Sequence, residues 1–299
     1  MERHEHGYVE AGGLFYLLGG RGDRPVQAFD PASQTWTTRG LPPLEIHHFQ
    51  PVEYEGKIYA IGAFTGGFPT ETPIPNVYNY DPANDQWMKG PEIPADRRRG
   101  AAGLVVYNDL FYVVSGIQNG HTDGHVTWFD SFDPKTGVWE RLPDAPRARD
   151  HFQAVVIDGM LYAAGGRRSS YATGQTFHLT VPEVDVYDFA TGMWSTLPPS
   201  ANLPTERAGV MAVAYNGNLL VIGGESQRGF SPDSTNPPAH SEAEVFDPLT
   251  QRWFALPPLN QGRHASQAIL HEGKIYIAAG SKTLGGTEIN SQEVYTPSQ

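Results

Sequence analysis

The chain repeats itself six times, and a period near 50 residues limits its folds to those made by stacking copies of one unit. A short apolar run ending on a pair of small residues recurs at positions 15–20, 58–63, 110–116, 160–166, 219–224 and 275–280. After each comes a variable stretch and then an aromatic residue before a turn: Phe29-Asp30-Pro31, Tyr80-Asp81-Pro82, Phe132-Asp133-Pro134, Tyr187-Asp188, Phe246-Asp247-Pro248 and the degenerate Tyr295-Thr296-Pro297. Five units continue to a tryptophan, Trp36, Trp87, Trp139, Trp194 and Trp253, at steps of 51, 52, 55 and 59 residues.

Each unit reads as β-structure. The runs 104–107, 153–156 and 184–187 are short, with turn residues at their ends. Tyr54-Glu55-Gly56-Lys57, Asn108-Asp109, Asp158-Gly159, Asn216-Gly217 and Glu272-Gly273 supply the positive φ of tight hairpins ahead of the small-residue strand. No helical stretch of useful length appears. The pattern of Gly-Gly, then Tyr-Asp, then Trp resembles the kelch repeat family, in its bacterial-type six-bladed form, over essentially the whole chain. The resemblance implies an all-β, six-bladed β-propeller forming a single domain over 1–299, with blades near 1–40, 41–92, 93–143, 144–198, 199–258 and 259–299. It also implies that the tryptophans of the outermost strand are substantially buried between blades. Six units supply strands a, b and c, but only five supply the tryptophan strand d. Blade six is therefore expected to be three-stranded, which suggests either a piece of a longer protein or a homodimer formed along the exposed edge.

A formal net charge of −12 and a pI near 5.3 oppose nonspecific binding to nucleic acid or an anionic membrane. The sequence shows neither a membrane-length apolar run nor a secretory leader, so a soluble protein is expected, cytoplasmic or exported with its signal removed. No cysteine is present, which removes disulfides and thiolate chemistry. It also removes galactose oxidase from the kelch comparisons, since that family's copper site needs a cysteine joined to a tyrosine.

In a four-stranded blade the loop entering strand a and the loop from b to c emerge on one face. The b-to-c loops are the long ones, and long loops on a rigid scaffold are where binding usually lies. Aligning the units on their small-residue pairs places Arg3, Ile46, Arg99, Arg149, Arg207 and Arg263 at the first position entering strand a. The next two positions add His4 and Glu5, His47 and His48, Asp150 and His151, and His264; blades three, five and six fill the third slot with Ala101, Gly209 and Ala265. With Arg21, Arg167, Arg168, His121 and Glu225 from the b-to-c loops, these residues are expected to ring the mouth of the central channel. The arginines are expected to point into one shared opening, although in kelch repeats an arginine here often ties blades together.

A cationic rim on an acidic protein suits an anionic ligand, because guanidinium groups bind carboxylate, sulfate or phosphate bidentately. The first functional reading is a recognition propeller, engaged in carbohydrate or protein binding, that takes an acidic glycan or a carboxylate-rich peptide with the five arginines as clamps. The alternative is an enzyme on acidic carbohydrate, mutarotase-like or lyase-like, with an arginine-held carboxylate and His48 or His151 as acid and base. No cofactor is assigned. For metal, the compact cluster His121, Asp123 and His125 is a weak candidate, with Asp150-His151 and His47-His48 as possible neighbours; the Glu-x3-Asp-x3-His spacing of the iron-binding kelch specifier proteins is absent.

Overall fold

The computed structural model describes residues 1–231, 234 and 236–297, and it is a six-bladed β-propeller. Blade one contains strands a His6–Ala11, b Leu14–Gly19, c Gln27–Asp30 and d Thr35–Thr38. Blade two has Val52–Tyr54, Lys57–Ala60, Asn76–Asp81 and Gln86–Glu92, and blade three Gly103–Tyr107, Leu110–Val114, Phe129–Phe132 and Trp139–Leu142. Blade four follows with Gln153–Ile157, Met160–Ala164, Asp185–Asp188 and Met193–Thr196, and blade five with Met211–Tyr215, Asn218–Ile222, Ala243–Asp247 and Arg252–Leu256. Blade six has three strands among the described residues, Ala268–His271, Lys274–Ala278 and Gln292–Tyr295. Every pairing is antiparallel, with strand a innermost.

The repeated residues have local causes. The aspartate after each aromatic builds the c-to-d turn: Asp30, Asp81, Asp133, Asp188 and Asp247 each accept a backbone N–H two residues on, at 2.8–2.9 Å. The tryptophans lie against the aromatic of strand c in their own blade, as Phe132 and Trp139 do at 4.7 Å between ring centres. They are only half-buried, and Trp36 is 38% exposed, so the expectation of deep burial is corrected. Strand d is the outer strand and leaves one side of each indole at the rim. Trp194 and Trp253 still reach back along the chain, donating from Nε1 to the carbonyls of Pro143, just after strand d of blade three, and Ala201, in the segment leading from blade four to blade five.

The paired small residues explain the arginines. The first member of every pair takes positive φ, and so does the second in every blade but the second, where it is Ala63; Gly165 at 70° and Gly166 at 93° show the arrangement, which turns a carbonyl inward from the strand. The arginine sixteen residues earlier donates to that carbonyl in five blades: Arg3 to Gly19, Arg99 to Ser115, Arg149 to Gly165, Arg207 to Gly223 and Arg263 to Ala279. Each guanidinium then bonds a side chain on strand c, namely Gln27, Asp130, Asp185, Glu244 and Glu293. All five arginines are buried, so the expectation that they are ligand clamps around one opening is corrected. Arg3, Arg99, Arg149, Arg207 and Arg263 are straps across strands a, b and c of their own blades.

The ring closes through its inner strands. At the third position entering strand a, each blade's N–H donates to the same position of the blade before: Glu5 to Ala265, His48 to Glu5, Ala101 to His48, His151 to Ala101, Gly209 to His151 and Ala265 to Gly209. These six bonds form a closed circle at the throat of the channel. Below it, glutamines from alternate blades fill the axis. Gln50 accepts from Leu104 and Ala154, Gln153 accepts from Ala212 and donates to Ser266, and Gln267 accepts from Tyr8 and donates to Phe49. About 40 Å³ remains between throat and glutamines, so the axis is constricted below the mouth.

The strap reading separates two kinds of arginine. Arg207→Ala leaves the Glu244 carboxylate and the Gly223 carbonyl buried without their partner and is expected to cost roughly 3–5 kcal/mol. Arg141→Ala, which removes an exposed ion pair with Asp96, is expected to cost less than about 1 kcal/mol. Urea denaturation of both variants measures the difference, and equal losses contradict the assignment.

Candidate functional site

The throat circle fixes which side chains face the mouth. Its six residues all have left-handed φ, from 51° at Ala101 to 60° at Gly209, and blades one, two and four put Glu5, His48 and His151 there. Blade three offers only Ala101, and the space above it is taken by His121 from that blade's b-to-c loop. Ring centres lie 4.9 Å apart for His48 and His151, 5.1 Å for His48 and His121, and 4.7 Å for His121 and His151. All three imidazoles are buried.

Each imidazole is held by a partner. His151 Nδ1 is 2.5 Å from Asp150, which also accepts from the backbone and hydroxyl of Ser169. His121 Nδ1 is 3.0 Å from Glu71, a carboxylate that also pairs with Arg21. His48 Nδ1 is 2.6 Å from His47 Nδ1, while His47 Nε2 donates to the Gly66 carbonyl at 3.0 Å. Gly120, at φ 58°, is required beside His121, because a Cβ there would collide with Glu71.

The mouth cavity above the throat is about 290 Å³ and is shaped by residues of several blades. Its lining includes His4, Arg21, Phe68, Arg167, Phe177 and Glu225. Arg167 donates to Ser169 and Glu225 and lies over the Phe177 ring at 4.9 Å. Glu225 also accepts from the Gly285 N–H and sits 3.3 Å from His264, whose Nε2 donates to the Thr283 carbonyl. His4 pairs with Glu288 at 2.8 Å.

The structure therefore brings together His4, Glu5, His47, His48, Asp150, His151, Arg167, Glu225 and His264, and separates the five strap arginines from them. It also breaks up the proposed cluster at 121–125. Asp123 is exposed and bonds Asn119, while His125 donates to the Ser169 carbonyl. These residues sit on a two-stranded ribbon, Ile117–Asn119 with Asp123–His125, and only His121 at its turn reaches the throat. Sequence reasoning missed Glu71, Phe68 and Phe177, which lie in loops with no repeated pattern.

Burial sets the protonation of this cluster. It pushes His48 well below the ordinary imidazole value against the pull of Glu5, and lowers His121 against the pull of Glu71. Burial likewise lowers His47, to about 4. Burial raises Glu71, but the bonds from His121 and Arg21 outweigh it and hold the carboxyl at about 2. Glu225 is held at about 2 in the same way, with burial outweighed by His264 and Arg167. At these three positions the unfolded chain takes up protons near the free histidine value of about 6.5, whereas His47, His48 and His121 in the native protein do not. Stability is thus present in full above that pH and declines as pH falls from about 6.5 toward 5, before most carboxylates titrate. Urea denaturation across this window is expected to show the decline, with a shallower slope for His48→Ala; a flat profile in the parent protein contradicts neutral buried histidines.

Comparison with known proteins agrees with this architecture. A family model described as the Attractin/LZTR1 beta-propeller matches residues 1–231, and one described as the kelch motif matches residues 206–260. Kelch-like protein terF of Aspergillus terreus is 27% identical over 99% of this chain and 64% of its own length. Alpha-scruin of Limulus polyphemus is 27% identical over 78% of this chain and 24% of its own, and Kelch-like protein 23 of Homo sapiens is 23% identical over 94% and 46%. The chain spans less than two thirds of each of these relatives. They come from a fungus and from animals, so the narrower bacterial-type resemblance has no support among them. The solved structure of YjhT superposes with a TM-score of 0.81 over 99% of this chain and 95% of that one, a likeness of fold at 17% identity. With residues 1–231 of its 299 matched by that family's model, the chain belongs to the Attractin/LZTR1 beta-propellers of the kelch type.

Proposed function

We propose that this chain is a recognition propeller whose mouth cavity takes a small anionic group, either an acidic sugar or an acidic side chain of a bound peptide. Kelch propellers typically serve protein binding, which favours recognition as the general role. The observation that carries the finer reading is Arg21. It lines the cavity with its side chain 22% exposed, and of its five N–H donors only one, to Glu71, is engaged among the described residues. Its free donors suit a carboxylate, while Phe68 and Phe177 give apolar faces for the ligand's body. Arg167 is buried, with Nε held by Ser169 and Nη1 by Glu225, so it shapes the wall and adds charge, whereas the more exposed Arg21 is the one open to a ligand.

A second reading, catalysis on an acidic sugar, is favoured by the dyad of His151 and Asp150. Its Nδ1 is held by the carboxylate, and its Nε2 is buried without a partner, the arrangement of an oriented base. Turnover of uronic acids followed by proton NMR separates this reading from binding alone.

Thermal denaturation with uronic acids and their neutral monosaccharide counterparts, and with a glutamate-rich peptide and its glutamine counterpart, tests the recognition reading. An acidic member of either pair is expected to raise Tm above its neutral twin, and Arg21→Ala, compared with its own unliganded baseline, is expected to abolish the difference. Equal shifts from neutral and acidic compounds, or a full response in Arg21→Ala, contradict it.

A further inference from the structure

We propose that His48, His121 and His151 form a three-histidine site for a divalent transition-metal ion of the zinc and cobalt class at the junction of throat and mouth. One ring nitrogen of each lies within 4.8 Å of those of the other two. The inference is independent of the anionic-ligand reading.

The tautomers follow from the partners. His151 Nδ1 faces the Asp150 carboxylate and His121 Nδ1 faces the Glu71 carboxylate, so each neutral ring carries its proton on Nδ1. His47 must donate from Nε2 to the Gly66 carbonyl, which leaves its Nδ1 as an acceptor and makes His48 Nδ1 the donor of their shared bond. All three rings therefore present an unprotonated Nε2. The Nε2 atoms of His48 and His151 are buried and have no hydrogen-bond partner; Glu5 Oε1 is 3.2 Å from His48 Nε2 but both atoms then offer lone pairs. Buried acceptors facing one another without a proton are costly, and a cation satisfies them together.

The surroundings have the charge and the outer contacts that such an ion needs. Around the three rings stand the carboxylates of Glu5, Glu71, Asp150 and Glu225 against the guanidinium groups of Arg21 and Arg167, an excess of two negative charges. A ligating histidine that donates its other N–H to a carboxylate is the usual way such ligands are oriented, and two of the three do so. Zinc at about 2.0–2.1 Å from each nitrogen sets the nitrogens roughly 3.4 Å apart in a tetrahedron, so the rings draw together by no more than about 1.5 Å. The mouth, also lined by His121 and Glu5, supplies an entry path and room for a fourth, exogenous ligand.

Tag-free protein stripped with a chelator and titrated with Co²⁺ under visible absorption, with Zn²⁺ competition followed by calorimetry, tests the site. One ion per chain with micromolar or tighter Kd is expected. His48→Ala and His151→Ala are expected to weaken binding by more than about 100-fold, and Glu71→Gln by about 10–100-fold as an outer-contact loss. Both alanine variants are compatible with the fold, because Ala101 and Ala265 already occupy the equivalent slots at φ 51° and 57°. X-ray absorption of the zinc-loaded parent protein, which requires no variant, is expected to show three imidazole ligands. Absence of Co²⁺ and Zn²⁺ binding at micromolar concentration, binding undiminished in the double alanine variant, or a coordination shell with fewer imidazoles each overturns the proposal.

Discussion

The circle of six amide-to-carbonyl bonds at the throat is the interaction on which the rest of this molecule depends. It joins each blade to the next at one equivalent residue, and it requires that residue to turn left-handed. For Glu5, His48, Ala101, His151 and Ala265, which carry a Cβ, such a backbone costs about 1–2 kcal/mol each. The surrounding structure over-determines the turn: the circle itself above, the alternating glutamines below, and the guanidinium straps within each blade. Closure is therefore achieved at the inner strands. Gly280 donating to Arg3 and Glu5 donating to Ala265 seal blade six to blade one, although blade six has three strands among the described residues.

A symmetric circle makes local asymmetry informative. Six equivalent slots project toward the mouth, and packing is satisfied by alanine or glycine in three of them. Where Glu5, His48 and His151 stand instead, the fold has a larger polar group in a place where a methyl suffices. His121 then fills the gap left over Ala101 and converts two separated histidines into a cluster. The glutamine plug gives this cluster a floor, and the long b-to-c loops give it walls with Phe68 and Phe177. The opposite face lacks comparable loops, which is why the polar chemistry collects on one side.

The architecture was legible because its signals are backbone requirements. Small-residue pairs that open on a positive φ, an aspartate that caps a turn and an outer tryptophan recur in register, so counting them counts blades and strands. The strap arginines were placed correctly in sequence but misread in direction: alignment shows that Arg149 precedes strand a, and says nothing of the Gly165 carbonyl turned toward it. His48 and His151 stood out by slot occupancy, which needs no structure. His121 was visible only as part of a short local motif, and its neighbours Asp123 and His125 diverge because a ribbon turn sends alternate side chains apart. Glu71 lies in a loop without periodicity, and its role depends on a contact 50 residues away with His121.

Native-state hydrogen exchange resolved by residue tests most directly whether the throat circle organises the molecule. The account predicts that the amides of Glu5, His48, Ala101, His151, Gly209 and Ala265 exchange among the slowest in the protein, all with the free energy of global unfolding. Exchange of these amides through local opening, faster than that of the strand b and c amides in the same blades, would contradict it.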